Sequence, residues 1–214
     1  MSQRVSGVSD TTPRLPAAER RAALVETALG AFSAGSYRGV KTADIAREAG
    51  VTEPILYRHF ASKRELYLAC LEEAWSRLRG TWETIRAEEA PAQWLPSMGT
   101  CAFLELERSK LLLSNLWVQA LTEASDDAEI GLQLRLHLLE VQDYVAATIR
   151  AAQAAGAIIA KRDPEAEAWV FMSLGLLGSI SRRLGGGLVE VDFPRIVAAR
   201  REWMLGEPAP ERAA

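Results

Sequence analysis

Histidine and cysteine are scarce in this chain, with two of each among 214 residues. Cys70 and Cys101 lie far apart and lack metal-type spacing, so no disulfide framework is expected and a reducing cytoplasm is the simpler setting. Both suit small apolar positions on helices. His59 and His137 cannot make a His-rich metal cluster, and neither a Gly-x-Ser-x-Gly elbow nor a phosphate-cradling glycine loop is present. The sequence therefore offers no catalytic set, no cofactor and no metal site. Long apolar runs are missing as well. The best stretch, Ala168 to Ile180, falls short of the roughly 18 residues that span a bilayer and runs into Arg182 and Arg183. No membrane partner is expected. Arg4, Asp10 and Arg14 interrupt the first sixteen residues, which have no apolar core and so differ from a secretory signal. They read as a solvated arm.

Net charge is only −3, which on its face argues against nucleic acid. The distribution argues otherwise. Residues 1–65 carry a net +3 and residues 66–214 a net −6. A basic head on an acidic body is compatible with local phosphate binding.

Alternating strand patterns are absent, and apolar residues recur at three and four along almost the whole chain. The first helix is expected over Ala17–Ala34, with Leu24, Ala28 and Phe32 on one face, Val25 and Leu29 beside them, and Gly35 as a left-handed cap. Thr42 is expected to N-cap a short second helix that ends at Gly50. Thr52 caps a third, Glu53 to Phe60, with Pro54 in its first turn. Ser62 and Glu65 form a capping box for a fourth helix to about Glu89, burying Tyr67, Leu71, Trp75, Leu78 and Trp82. Beyond Pro91 the expected helices are Ala92–Glu107, Ser109–Glu123, Asp126–Ala155, Pro164–Leu184 with Asp163 as N-cap, and Phe193–Leu205. Gly185–Gly187 is a break, and Pro208 onward a tail.

One stretch is more specific. From Val40 to Lys63 the chain carries Thr42-x-x-Ile45-Ala46, then Ala49-Gly50-Val51-Thr52 at a turn, then Leu56-Tyr57-x-His59-Phe60 followed by Ser62-Lys63. About ten positions at fixed spacing resemble the signature of the TetR family of repressors. With the preceding helix the resemblance covers roughly residues 14–80. It implies an all-α fold: a three-helix helix-turn-helix domain over 14–64 and a larger helical-bundle domain for ligand binding and dimerisation over 65–206. The local chemistry agrees. Gly50 supplies a tight turn, Leu56 and Phe60 form the back of the second helix of the pair, and its N-terminal residues are left for base edges.

The resemblance implies that Tyr57 and His59 touch the DNA backbone and that Lys63 grips a phosphate. Thr42, with Lys41 beside it, is either a phosphate contact or a cap alone. Thr52, Glu53, Pro54 and Ile55 are candidate groove contacts, and Arg58 reaches either guanine or a phosphate. Arg4 and Arg14 either supplement phosphate binding or stay in solvent. One such head has a small footprint, so a homodimer on a palindromic double-stranded operator is expected.

In the body, Met172, Gly175, Leu176, Ser179 and Ile180 on one helix and Ile196 and Trp203 on the last are candidates for the dimer interface, against the alternative of an intrachain core. Trp94, Met98, Cys101, Trp117, Leu121, His137, Tyr144 and Trp169 are candidates for an apolar cavity with polar tips, or else ordinary core. The expected function is a regulator released from its operator by a small apolar or amphipathic effector. The alternative is a dimeric helical DNA-binding protein without an effector.

Overall fold

The computed structural model describes residues 16–108, 113–184 and 191–205. Arg4, Arg14, the Gly185–Gly187 run, Pro208 onward and the side chain of Ser179 lie outside what is described. Among the described residues the chain forms nine helices and no strand: α1 Ala17–Ala34, α2 Thr42–Glu48, α3 Glu53–His59, α4 Lys63–Glu88, α5 Trp94–Arg108, α6 Leu113–Glu123, α7 Ala128–Ala154, α8 Pro164–Leu184 and α9 Phe193–Leu205. No helix among them is long and apolar enough to cross a membrane.

The helix boundaries follow from identifiable chemistry. Ser62 accepts from the Glu65 N–H at 3.1 Å, while the Glu65 carboxylate accepts from the Ala61 N–H at 2.6 Å, one residue earlier than a strict capping box. Asp127 caps α7 through the Glu129 and Ile130 N–H groups, and Asp163 caps α8 through those of Glu165 and Ala166. Gly50 turns the chain between α2 and α3 at φ +69°, and Gly156 leaves α7 at φ +72°. Two expected caps are corrected. Lys41, not Thr42, is the N-cap of α2, because the Thr42 hydroxyl is drawn to α3 instead. Gly35 is extended (φ −118°), so no left-handed cap exists there. A Cβ at Gly35 would lie 2.9 Å from a Val40 methyl, so what the site requires is room for the returning chain.

Two apolar clusters fill the interior. The first joins Leu24, Ala28 and Phe32 of α1, Ile45 of α2, Leu56 of α3, Phe60, and Leu66, Tyr67 and Cys70 of α4 to Leu116 and Ala120 of α6 and Ile130 and Leu134 of α7. A head of some fifty residues buries little core alone; here α4, α6 and α7 lend it theirs. The second cluster centres on Trp75 and Trp82 of α4, Met98 of α5, Val141, Val145 and Ile149 of α7, Ala168 of α8 and Met204 of α9.

Polar links fasten head to body at one corner. Gln119 Nε2 donates to the carbonyls of Phe32 and Gly35 at 3.0 and 2.8 Å, satisfying the C-terminal end of α1. Tyr67 donates to the Leu116 carbonyl at 2.7 Å. Arg38 bonds Glu123 at 2.8 Å and pairs with Asp126, and Arg64 bonds Asp127 at 3.1 Å. All four contacts meet α6 or the turn that follows it.

Candidate nucleic-acid interface and interior site

The α2–α3 unit is held from behind. Leu56 and Phe60, four residues apart, are fully buried, which fixes the opposite face of α3 outward. Thr52, Pro54, Tyr57 and Arg58 are exposed, and Glu53, Ile55 and His59 are half-buried at the edges. Lys41 is exposed on the approach to α2.

Polar bonds set the two short helices against each other. Thr42 is buried, and its hydroxyl donates to Glu53 Oε1 at 2.5 Å. With that proton committed, the Tyr57 hydroxyl, 3.1 Å away, donates to Thr42 Oγ1. The chain thereby fixes the direction of Tyr57 and turns the Glu53 carboxylate back onto α2. That leaves Glu53 poorly placed to read a groove.

Lys63 opens α4 beside this unit. Its ammonium lies 4.9 Å from the Tyr37 ring centroid and 3.4 Å from the Arg38 carbonyl. Partial burial holds its pKa below the usual lysine range, with the Glu123 carboxylate opposing the shift. Lys63 pairs with no carboxylate among the described residues, so its charge is available to a phosphate.

The expected cavity residues are only partly brought together. Met98 is fully buried, His137 nearly so, and Trp94, Cys101, Trp117 and Tyr144 are half-buried. Leu121 and Trp169 are 48% and 44% exposed and do not join the interior. Periodicity alone missed them because α6 and α8 each have apolar residues on several sides.

In their place the fold brings in Trp75, Trp82 and Phe171. Trp75 lies 5.8 Å from Tyr144 and 6.3 Å from His137, both edge to face, and Trp82 stacks on Tyr144 at 5.9 Å. Trp117 meets His137 at 5.6 Å. Trp75 and Trp82 donate their indole N–H groups to Glu140 and to the Met98 carbonyl. Trp117 Nε1, His137 Nε2, Tyr144 Oη and Arg86 Nε are buried without a hydrogen-bond partner among the described residues. Burial lowers the His137 pKa, with Glu140 opposing.

Glu72, His137 and Glu140 also bring three ligand-type atoms within 4.8 Å of one another. Glu140, however, is already bonded by Trp75 and, at 3.3 Å, by Arg79. Arg79 therefore already pairs with the Glu140 carboxylate.

On the outer side, Trp169, Ile180, Ile196, Val197 and Trp203 of α8 and α9 are exposed, Met172 and Leu176 are half-buried, and Gly175 is exposed. Arg162 stacks on the Trp203 ring at 3.6 Å.

Residues 24–70 match the model of the amino-terminal domain of bacterial regulatory proteins of the tetR family. Those residues, about a fifth of the chain, are similar to the amino-terminal domain of that family. A stretch of 70 residues is 43% identical to the HTH-type transcriptional activator FasR of Mycolicibacterium smegmatis. The match takes in 33% of this chain and 32% of FasR, so the chain aligns with about a third of that relative.

The remaining helices share the family's fold. A TetR-family regulator from Agrobacterium tumefaciens superposes with a TM-score of 0.73 at 16% identity, over 88% of this chain and 98% of that one. A transcriptional regulator from Saccharomonospora viridis, in complex with choline, superposes at 0.66 and 21% identity, over 91% and 100%.

Proposed function

We propose that the chain is a cytoplasmic transcriptional regulator that binds a palindromic operator as a homodimer and leaves it when a small amphipathic molecule occupies the ring cluster. The observation that carries DNA binding is the face of α3: Thr52, Pro54, Tyr57 and Arg58 exposed over a fully buried Leu56–Phe60 back. Arg58 and Ile55 are the candidates for base contact, and Tyr57, His59, Lys41 and Lys63 for phosphate. Thr52 and Pro54 stand at the N-terminal end of α3, the end that enters a major groove in a helix-turn-helix. Thr42 and Glu53 act by positioning Tyr57.

The homodimer is supported by the exposed apolar face of α8 and α9. At Gly175 nothing lies within 4 Å of where a Cβ would be, which leaves space for a partner backbone.

Ligand response is supported by the position of α6. It carries Trp117 in the ring cluster, Gln119 at the end of α1 and Glu123 on Arg38. A molecule that displaces Trp117 would also shift the groups holding the head, changing the population of dimers with the right head separation. FasR is named an activator, so a promoter-fusion readout decides the sign for this chain.

Selection of bound sequences from random duplexes tests the proposal. Two inverted half-sites about one helical turn apart are expected. Recovery of no enriched sequence by the intact chain would overturn it.

A further inference from the structure

Arg86 makes no ion pair among the described residues, although every cation that fastens head to body is paired. Its guanidinium carbon lies 5.3 Å from the Trp94 ring centroid and 5.7 Å from that of Tyr144. Its Nε is buried without an acceptor, and the Tyr144 hydroxyl is buried without a partner, among the described residues. A buried donor left unmade is costly, and a charged one more so. Inward from this pair run Trp82, stacked on Tyr144, and Trp75. At the far side, Trp117 Nε1 and His137 Nε2 are buried and equally unpartnered.

The row of side chains thus runs from a cationic polar end through packed aromatic rings to a neutral polar end. We infer that the effector is an amphipathic carboxylic acid, its carboxylate on Arg86 and Tyr144 and its apolar body along Trp82 and Trp75. This rests on the reading of the ring cluster as the effector site.

The chemistry discriminates among rivals. Aromatic faces alone would also suit a quaternary ammonium ion, but Arg86 places a permanent positive charge at that end. An alcohol accepts from at most two donors and, being neutral, leaves the guanidinium unneutralised. A carboxylate accepts from Nε, a terminal guanidinium nitrogen and the tyrosine hydroxyl together. The neutral end accommodates a ligand hydroxyl or carbonyl, since Trp117 Nε1 only donates.

The test uses the intact chain and two matched probe series, decyl and naphthylmethyl, each bearing a carboxylate, a hydroxyl or a trimethylammonium group. Melting midpoint and tryptophan fluorescence report binding. The carboxylates are expected to bind at least about tenfold more tightly than the matched alcohols. Arg86→Gln should cut that ratio about tenfold, with Tyr144→Phe giving a smaller loss. Should Arg86→Gln fail to fold, Tyr144→Phe and the probe ranking still decide. Equal or tighter binding of the alcohols or ammonium compounds would overturn the acid assignment while leaving the effector site standing. An unchanged ratio in Arg86→Gln would do the same. If no probe of either series binds, the effector-site reading fails and this inference with it.

Discussion

At the residue scale, single atoms decide where the family signature becomes geometry. Gly50 sits at φ +69° with open space around its missing Cβ, so Gly50→Ala meets backbone strain and no clash. The strain of a left-handed Cβ, about 1–2 kcal/mol, is partly offset by a less flexible unfolded chain. A net loss of about 1 kcal/mol is expected in denaturant titration. Gly35→Ala meets the Val40 methyl instead, and compensating Val40→Ala should recover stability there.

Lys63→Ala removes a half-buried cation that has no carboxylate partner among the described residues. It should weaken binding about equally on all duplexes and reduce the salt slope by about one. Tyr57→Ala should likewise weaken binding regardless of sequence. Unchanged affinity and slope in both variants, at moderate salt, would remove these residues from the interface.

At the element scale, α7 carries a pH-dependent contribution. Burial disfavours the imidazolium form of His137, while Glu140, which opposes the shift, and Glu72 lie nearby. The folded ring therefore titrates below the unfolded one. As pH falls through about 6.5, the unfolded chain takes up its proton first, and stability declines until the folded ring also protonates. The melting midpoint should drop as pH falls below about 6.5, and His137→Gln should flatten that part of the profile. A parallel profile for the variant would show that the ring bears no such load.

Helix α6 has the larger mechanical part. Gln119→Leu frees two carbonyls at the end of α1 and should cost about 1–3 kcal/mol. It should also weaken the coupling between probe binding and operator release, measured as the change in operator affinity at saturating probe.

At the scale of the whole molecule, the proposed twofold recognition rests on the α8–α9 face. Ile180→Asp and Ile196→Asp place charges on exposed apolar positions without disturbing either internal cluster. Sedimentation should then report monomers at micromolar concentration, with operator affinity lost and the helical spectrum kept. Dimers of undiminished stability would move the interface elsewhere.

The sequence by itself determined the helical class, the positions of nearly all helices and the inward faces of α1, α3 and α4, because period, caps and breakers are local properties. It also marked the α2–α3 signature and the outward residues of α3. Tertiary structure alone decided three things. Thr42 binds Glu53 and Tyr57 across eleven and fifteen residues, which no local rule encodes. Trp75, Trp82 and Phe171 replace Leu121 and Trp169 in the ring cluster, because a helix apolar on several sides does not reveal which side is covered. Arg86, without an ion pair among the described residues, meets Tyr144 because the fold packs α4 against α7, and burial is a property of that packing.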